Sequence, residues 1–306
     1  MLAKRIWNRR AFVLGAASTL LGAAVEQPRV AITIDDFGWQ EIPEPWRARA
    51  SDALLGALAE HKLLAAGFVA GKRVDSPEGL RIVRQWRDAG HSIGNHTYSH
   101  QGIDSLGLDA FEADALRNER LLGPLLKSPK YFRFPMLKEG ATAELRDGMR
   151  GFLKAHAYRN GAVTIDASDW YYSARLSDRL AREPGFDWNR YREPYLKHIL
   201  DRARYYDGLA TVLLGRKIRH TLLIHFNLLN VLFLGDLLER FQRTGWRLVD
   251  APAAFTDPIF DRAPNTIPAG ESLVWALAKE SGRFQKLRYP GEDDVYEKPI
   301  LDELKL

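Results

Sequence analysis

The chain has 306 residues, of which 44 are Lys or Arg and 39 are Asp or Glu, so its formal net charge at neutral pH is +5. Apolar residues make up 46% of it, which is enough for a sizeable core in one large α/β domain or two small domains. The absence of cysteine excludes thiolate metal sites, a cysteine nucleophile and disulfides.

The first 24 residues have the pattern of a bacterial export signal. A basic segment ending in Arg9-Arg10 precedes an uncharged run over 11–25 that is short for a bilayer span, and small residues up to Ala24 offer a cleavage site. Together with the apolar stretch 11–14, Arg9-Arg10 resembles a twin-arginine signal. We therefore expect a periplasmic or secreted protein that meets the membrane only during export. The alternative is an uncleaved N-terminus that anchors the protein in the membrane.

The positive charge is concentrated in this segment. Residues 1–24 contain four basic groups and no acidic group, so removal of the segment takes the net charge from +5 to +1. The overall charge therefore predicts no nucleic-acid partner.

From residue 30 onward, strand-like segments alternate with helix-like segments. The predicted strands lie at 30–34, 63–70, 91–95, 130–134, 162–165, 221–224 and 246–249, and the predicted helices at 46–60, 77–89, 108–126, 141–155 and 228–244. About seven βα repeats of this kind predict a parallel sheet or a closed barrel, in one domain over 25–255.

Two regions interrupt this alternation. Residues 171–219 mix basic and aromatic residues, which predicts a helical insertion whose aromatic side chains pack on the barrel and whose cations are solvated. A surface that grips an anionic polymer is the alternative. Residues 256–306 have prolines scattered around one short predicted helix at 271–280, and we expect them to form an arm wrapped over the core. We call residues 256–306 the C-terminal arm.

The first predicted strand ends in two adjacent carboxylates, Asp35 and Asp36, followed by Phe37-Gly38. Catalytic groups of α/β folds lie at the carboxyl ends of their strands. Neighbouring strand residues point to opposite faces, so one carboxylate can face a metal ion and the other a water molecule or substrate. A turn or helix N-cap is the alternative for such a pair.

Histidines follow two later strands. His96 and His100 are four residues apart, so one helical turn would place both imidazoles on the same side, and His225 follows the strand at 221–224. Imidazole is the commonest zinc ligand, and an Asp-His-His set leaves coordination positions open for water. A histidine pair that is simply buried and hydrogen-bonded is the alternative.

Five short motifs of the chain resemble, in order, those of the NodB-like polysaccharide deacetylases, which form carbohydrate esterase family four. They are Thr33-Ile34-Asp35-Asp36, His96-Thr97-Tyr98-Ser99-His100, Arg133-Phe134-Pro135, Asp166-Ala167-Ser168-Asp169-Trp170 and Leu223-Ile224-His225. The resemblance extends over about 30–249 and implies a distorted (β/α)7 barrel. We call residues 96–100, 133–137 and 166–170 the second-, third- and fourth-motif loops.

The resemblance implies a divalent metal ion, with zinc as the expected metal. Asp36, His96 and His100 would hold the ion, and Asp35 would act as the general base that takes a proton from water. The implied reaction is removal of N-acetyl groups from an acetylated glycan of the peptidoglycan or chitin type.

Three further residues acquire roles from the resemblance. Arg133 would pair with the base, His225 would protonate the departing amine as the general acid, and Asp169 would hold the His225 ring. The third motif departs from the usual Arg-x-Pro-Tyr-Gly of the family, because Met136-Leu137 follow the proline. The Met136 N–H is the candidate oxyanion donor. Similarly, Phe226-Asn227 follow His225 where the family often has Asp.

Three aromatic residues near strand ends are candidate stacking surfaces for a sugar or, alternatively, part of the core: Trp39, Tyr98 and Trp170. Two other functions remain open at this point. The chain could be a metal-dependent hydrolase of another C–N amide or of an O-acetyl ester, or a glycan-binding protein without activity. The sequence predicts no oligomeric state.

Overall fold

The computed structural model describes residues 26–288 and 295–306. The predicted signal peptide over 1–24 lies outside the described residues. The strands are β1 Arg29–Asp36, β2 Ala66–Val69, β3 Ser92–Asn95, β4 Lys130–Phe132, β5 Lys138–Gly140, β6 Tyr158–Asn160, β7 Arg219–His225, β8 Arg247–Leu248 and β9 Ala269–Gly270. The α-helices are α1 Ala50–Glu60, α2 Gly71–Val74, α3 Pro77–Asp88, α4 Ile103–Leu106, α5 Leu108–Leu122, α6 Ala143–Ala155, α7 Asp169–Arg182, α8 Arg192–Leu214, α9 Leu228–Arg243, α10 Ala251–Ala254, α11 Leu273–Ser281 and α12 Glu297–Glu303.

The main sheet is parallel, with the strand order β6-β4-β3-β2-β1-β7 and with β8 beside β1. Its central strand β1 is buried from Val30 to Asp35 and is mostly apolar up to the two aspartates, as expected of a strand covered on both faces. In the register of β1 with its neighbours, Asp35 lies beside His225 of β7, and Asp36 lies beside Val69 of β2. The carboxyl ends of the central strands therefore meet on one side of the sheet.

The segment after β6 closes the sheet into a barrel. Gly161 N–H donates to the carbonyl of Phe132, the last residue of β4. A few residues later, Ile165 O accepts the N–H of Leu223 in β7. The parallel α/β barrel predicted from the sequence is thereby confirmed. The strand predicted at 162–165 is wrong in its bounds, because in that range only Ile165 forms a β-bridge, with Leu222. The strand β6, which precedes this range, was not predicted. Thr164 Oγ1 accepts a hydrogen bond from the backbone N–H of Thr221, so a side-chain oxygen stands here in place of the carbonyl of a regular β-ladder.

The region 171–219 continues α7 and contains the long helix α8. Its aromatic side chains pack inward, and Tyr191, Tyr195 and Tyr206 are fully buried. Arg202 departs from the expectation of solvated cations, since it is buried with its guanidinium near Tyr206 Oη. Within the described ranges, no helix has the length and apolar character needed to cross a membrane.

Candidate active site

The second-motif loop begins where β3 ends, and its backbone is not helical. Thr97 and His100 both adopt left-handed conformations, with φ of 60° and 59°. The Asp114 carboxylate accepts the N–H groups of Tyr98 and Ser99 at 3.0 and 2.8 Å, which takes away donors that a helix would use. The expectation that one helical turn aligns the two histidines is therefore wrong, although this loop still turns both rings to the same side.

The two histidines meet Asp36 at the end of β1. One side-chain atom from each of Asp36, His96 and His100 can be chosen so that all three lie within 4.8 Å of one another. Asp36 Oδ1 lies 3.1 Å from His100 Nε2 and 3.6 Å from His96 Nε2. Arg73 approaches the other oxygen of Asp36 at 3.6 Å.

The donor set fits a divalent metal ion. Two ligands at about 2.1 Å from one zinc ion in tetrahedral geometry are separated by roughly 3.4 Å, close to the separations found here. Asp36 Oδ1 is buried without a hydrogen bond of good geometry, which is the situation of a ligand atom rather than of a structural carboxylate. His96 Nδ1 donates to Arg133 O at 2.8 Å, so the lone pair of its Nε2 faces the cluster.

The other carboxylate of the strand tip, Asp35, is held by Arg133. Arg133 Nη1 donates to Asp35 Oδ1 at 2.7 Å, and both side chains are almost completely buried. Bonds from Arg133 to Thr33 Oγ1 and to Gly161 O, each of 2.8 Å, fix the guanidinium across the barrel. One oxygen of Asp35 is thus engaged, while the second lies 3.6 Å from His96 Nε2.

The two neighbouring aspartates have opposite electrostatic properties. Burial raises the pKa of Asp35 to about 6, because it outweighs the opposing effect of Arg133. Asp36 is also buried, but its pKa is lowered, since its close contact with the His100 ring and the charges of the nearby histidines outweigh burial. Asp35 therefore has the properties of a base that can take up a proton near neutral pH, and Asp36 those of a permanently ionised ligand.

His225 lies at the end of β7 and is bonded to the fully buried Asp169. Its Nδ1 donates to Asp169 Oδ1 and its backbone N–H to Asp169 Oδ2, both at 2.8 Å. Burial disfavours the charged ring, but the charge and hydrogen bond of Asp169 prevail and raise the pKa of His225 to about 10. The imidazolium form is therefore the stable one at neutral pH, as a proton donor requires.

Two asparagines complete the surroundings of this pair. Asn227 Nδ2 and Asn230 Nδ2 donate to Asp169 Oδ2 at 2.7 and 2.8 Å, and the hydroxyl of Tyr195 donates to Asn230 Oδ1. Sequence reasoning missed Asn230 and Tyr195. A signal for Asn230 was available, because it is a lone amide in the apolar first turns of α9, three residues after the N-cap Asn227.

The three residues of the metal-fitting cluster, together with Asp35 and His225, line one cavity of about 380 Å³. Its apolar walls include Met136 and Trp170, whose side chains are 42% and 38% exposed. Trp39 and Tyr98 do not line it: Trp39 packs against the core, and Tyr98 Oη bonds Asp75. Of the three aromatic residues predicted as stacking surfaces, Trp170 is therefore the one that the structure places at the cavity. The complete lining is Asp35, Asp36, His96, His100, Met136, Leu137, Asp166, Ala167, Trp170, Leu223 and His225.

Residues 22–150 match the protein family described as polysaccharide deacetylase. This match, over less than half of the chain, supports the family resemblance that the motifs predict. The matched residues include the first three motifs of the polysaccharide deacetylase pattern, and the fourth and fifth motifs lie beyond them.

Curated relatives in this family are similar to parts of the chain. A peptidoglycan-N-acetylglucosamine deacetylase of Bacillus cereus is 30% identical over 107 residues, which are 35% of this chain and 35% of that protein. A chitin deacetylase of Colletotrichum lindemuthianum is 25% identical over 162 residues, which are 50% of this chain and 58% of that protein. The chain therefore spans between about a third and three fifths of the length of these two relatives.

Solved structures support the fold. The protein BA3943 of Bacillus anthracis, described as a pseudoenzyme of carbohydrate esterase family four, superposes with a TM-score of 0.50 at 18% identity, over 75% of this chain and 66% of that chain. A mutant of BA3943 with restored enzymatic activity gives the same TM-score at 20% identity, over 75% and 68% of the two chains. At this level of identity the likeness concerns the polysaccharide deacetylase fold alone.

Proposed function

We propose that the chain is a metal-dependent hydrolase that removes N-acetyl groups from an acetylated glycan of the peptidoglycan or chitin type. The observation that carries the proposal is the convergence of a base-type aspartate, Asp35, and an acid-type histidine, His225, on the cavity that contains the metal-fitting cluster. The names of the curated relatives support glycan amides as the substrate class.

Asp36, His96 and His100 would hold the divalent ion, and zinc suits a set of two imidazoles and one carboxylate. When bound, the ion would supply Lewis acidity toward the amide carbonyl and the attacking water. Asp35 would accept the proton of that water on Oδ2, since Arg133 occupies its Oδ1.

His225 would give its Nε2 proton to the nitrogen of the leaving sugar amine, because its Nδ1 is committed to Asp169. The required protonation states coexist between the two pKa values, about 6 for Asp35 and about 10 for His225. Below that window the base is protonated, and above it the acid is lost. The N–H of Met136 remains the proposed oxyanion donor, and Trp170 the proposed stacking surface for the sugar.

The experiment is incubation of purified protein with Zn²⁺ and chito-oligosaccharides, followed by mass spectrometry of the products. Loss of acetyl groups supports the proposal, and Asp35→Asn should abolish turnover while zinc binding persists. Turnover only of an O-acetylated glycan or of another amide would change the substrate class. Binding of the oligosaccharide without turnover of any substrate would identify a glycan-binding protein instead. The unusual Met136-Leu137 pair is the reason to test these outcomes.

We also propose that the protein acts outside the cytoplasm, after export through a twin-arginine signal. Replacement of Arg9-Arg10 by two lysines should retain the protein in the cytoplasm. Normal export of that variant in cell fractionation would refute the twin-arginine part of the proposal, and a membrane-bound wild-type protein would favour the uncleaved anchor.

A further inference from the structure

The third-motif loop has an unfavourable backbone conformation at the cavity. Met136 and Leu137 both have positive φ angles, 51° and 57°, although neither is glycine. The left-handed region is unfavourable for a residue that carries a side chain. Both residues line the cavity, so this conformation determines the shape of one wall. Contacts from outside the loop must therefore hold it in place.

The C-terminal arm makes such contacts. Strand β5 follows the loop directly and pairs in antiparallel fashion with β9 of the arm, with Lys138 opposite Gly270. The next arm residue, Glu271, donates its N–H to Leu137 O at 2.8 Å. The carbonyl of the strained residue is thus bonded to the arm itself.

Gly270 permits the close approach of the two strands. Its φ of 116° is one that residues with a side chain rarely adopt. A Cβ atom there would collide with Leu137 O and lie 2.8 Å from Glu139 N. Because both obstacles are backbone atoms, a side chain at this position would force β9 away from the loop.

The same arm also supports the approach to the fourth-motif loop. Leu273 N–H donates to Val163 O at 2.7 Å, and Ser272 Oγ donates to Thr164 O at 3.0 Å. Further along, Ser168 Oγ donates to the buried carboxylate of Glu297 at 3.3 Å. Two walls of the cavity are therefore attached to one segment that lies outside the five motifs.

We propose that the C-terminal arm is a positioning element of the substrate site, and that the β9 segment around Gly270 holds Met136 and Leu137 in the shape that receives the substrate. The inference rests on the proposed function only in treating the cavity as the place where the glycan binds. It makes Gly270 and the Glu271 N–H positioning groups that act through Leu137, without contact to the reacting atoms.

The test compares Gly270→Ala with Gly282→Ala in the full chain. Gly282 is a matched control, since it lies in the same arm with a φ of 63°, but a Cβ atom there would meet nothing within 4 Å. Both variants strain the backbone, yet only Gly270→Ala should disturb the loop. The measurements are hydrogen–deuterium exchange of amides 136–140, zinc affinity, and kcat and KM for a chito-oligosaccharide.

For Gly270→Ala we expect faster exchange over 136–140, a KM raised about tenfold or more, and unchanged zinc affinity. For Gly282→Ala we expect wild-type values of all three. Wild-type exchange over 136–140 in Gly270→Ala, or equal loosening in both variants, would overturn the proposal. If Gly270→Ala does not fold, native-state exchange of the wild type decides: amides of β5 and β9 should open together, and separate opening would refute the attachment. Exchange does not depend on turnover, so a failure of the proposed function remains distinguishable.

Discussion

Replacing Asp169 by asparagine should convert His225 from a charged to a neutral ring. Among the residues that the structure describes, Asp169 Oδ2 accepts three N–H donors, from the His225 backbone, Asn227 and Asn230, whereas Oδ1 accepts only the ring Nδ1–H of His225. The new amide must therefore keep its oxygen at the Oδ2 position and turn its NH₂ group toward Nδ1. There it donates a hydrogen bond to the neutral ring and opposes the imidazolium, which carries its own N–H at that atom.

The magnitude follows from the pKa of His225, which the Asp169 carboxylate keeps at about 10 against the effect of burial. Without that charge, only the weaker effects of Asp35 and Asp36 oppose burial, which acts most strongly on this ring, and we expect a pKa below the ordinary value of about 6.5. A fall of at least 3.5 pH units corresponds to about 5 kcal/mol of lost preference for the charged form. At pH 7 the ring can no longer act as a strong proton donor, so kcat should fall by about 10²- to 10⁴-fold.

The assay is an NMR titration of ¹⁵N-labelled histidine rings, together with the pH dependence of kcat. The basic limb of the profile should move from near 10 in the wild type to below neutrality in Asp169→Asn. Asp207→Asn is the matched control, because Asp207 Oδ1 lies 3.5 Å from Nε2 of another buried ring, His220. Neither residue lines the cavity. A His225 ring that stays charged at pH 8 in Asp169→Asn would refute the reasoning, as would an equal loss of kcat in the control.

Three further predictions concern stability and metal binding. Arg133→Met leaves the buried Asp35 without its cationic partner and should destabilise the fold by about 3–5 kcal/mol in urea unfolding at pH 8, with a smaller loss at pH 4, where Asp35 is protonated. Zinc at a hundred times its Kd should raise the unfolding free energy of the wild type by about 2.7 kcal/mol, which thermal unfolding with and without zinc would detect as a higher Tm. Asp36→Asn should remove most of this increase in Tm, and an undiminished increase would place the ion elsewhere. Burial lowers the pKa of His91 to about 4. Between pH 6.5 and 4 the unfolded chain therefore binds a proton that the folded chain does not. The free energy of unfolding should fall by up to about 3 kcal/mol as the pH drops through that window. His91→Asn, whose side-chain oxygen can accept the Ala65 N–H in place of Nδ1, should flatten this part of the urea-unfolding profile, and an unchanged slope would assign it to another group.

The convergence of the candidate site could be predicted from the sequence because it depends on topology. Asp36, His96 and His225 all lie at or just after the ends of buried strands, and parallel pairing brings such ends together whatever the loops do. The periodicity of a buried strand is local and strong, so these positions are readable without any tertiary information.

The support around these residues could not be predicted in the same way. The second-motif loop takes its shape from Asp114, which lies on a helix more than ten residues further along and bonds two backbone N–H groups. Tyr195 reaches Asn230 from the insertion helix α8, and Glu271 reaches Leu137 from the C-terminal arm. Each is a contact between segments that are distant in the sequence, and no local pattern encodes the pairing.

The two carboxylates at the end of β1 show what such contacts decide. As neighbours in the sequence, Asp35 and Asp36 are chemically identical, and strand geometry says only that they face different ways. Arg133 occupies one oxygen of Asp35 within a deeply buried site, which leaves a raised pKa and one available lone pair for a proton. Asp36 faces two imidazoles and keeps a low pKa, which makes it a poor base and a good ligand. The proposed roles of the two aspartates cannot be exchanged without moving Arg133 or the histidines, because they follow from the partners of each carboxylate rather than from the motif.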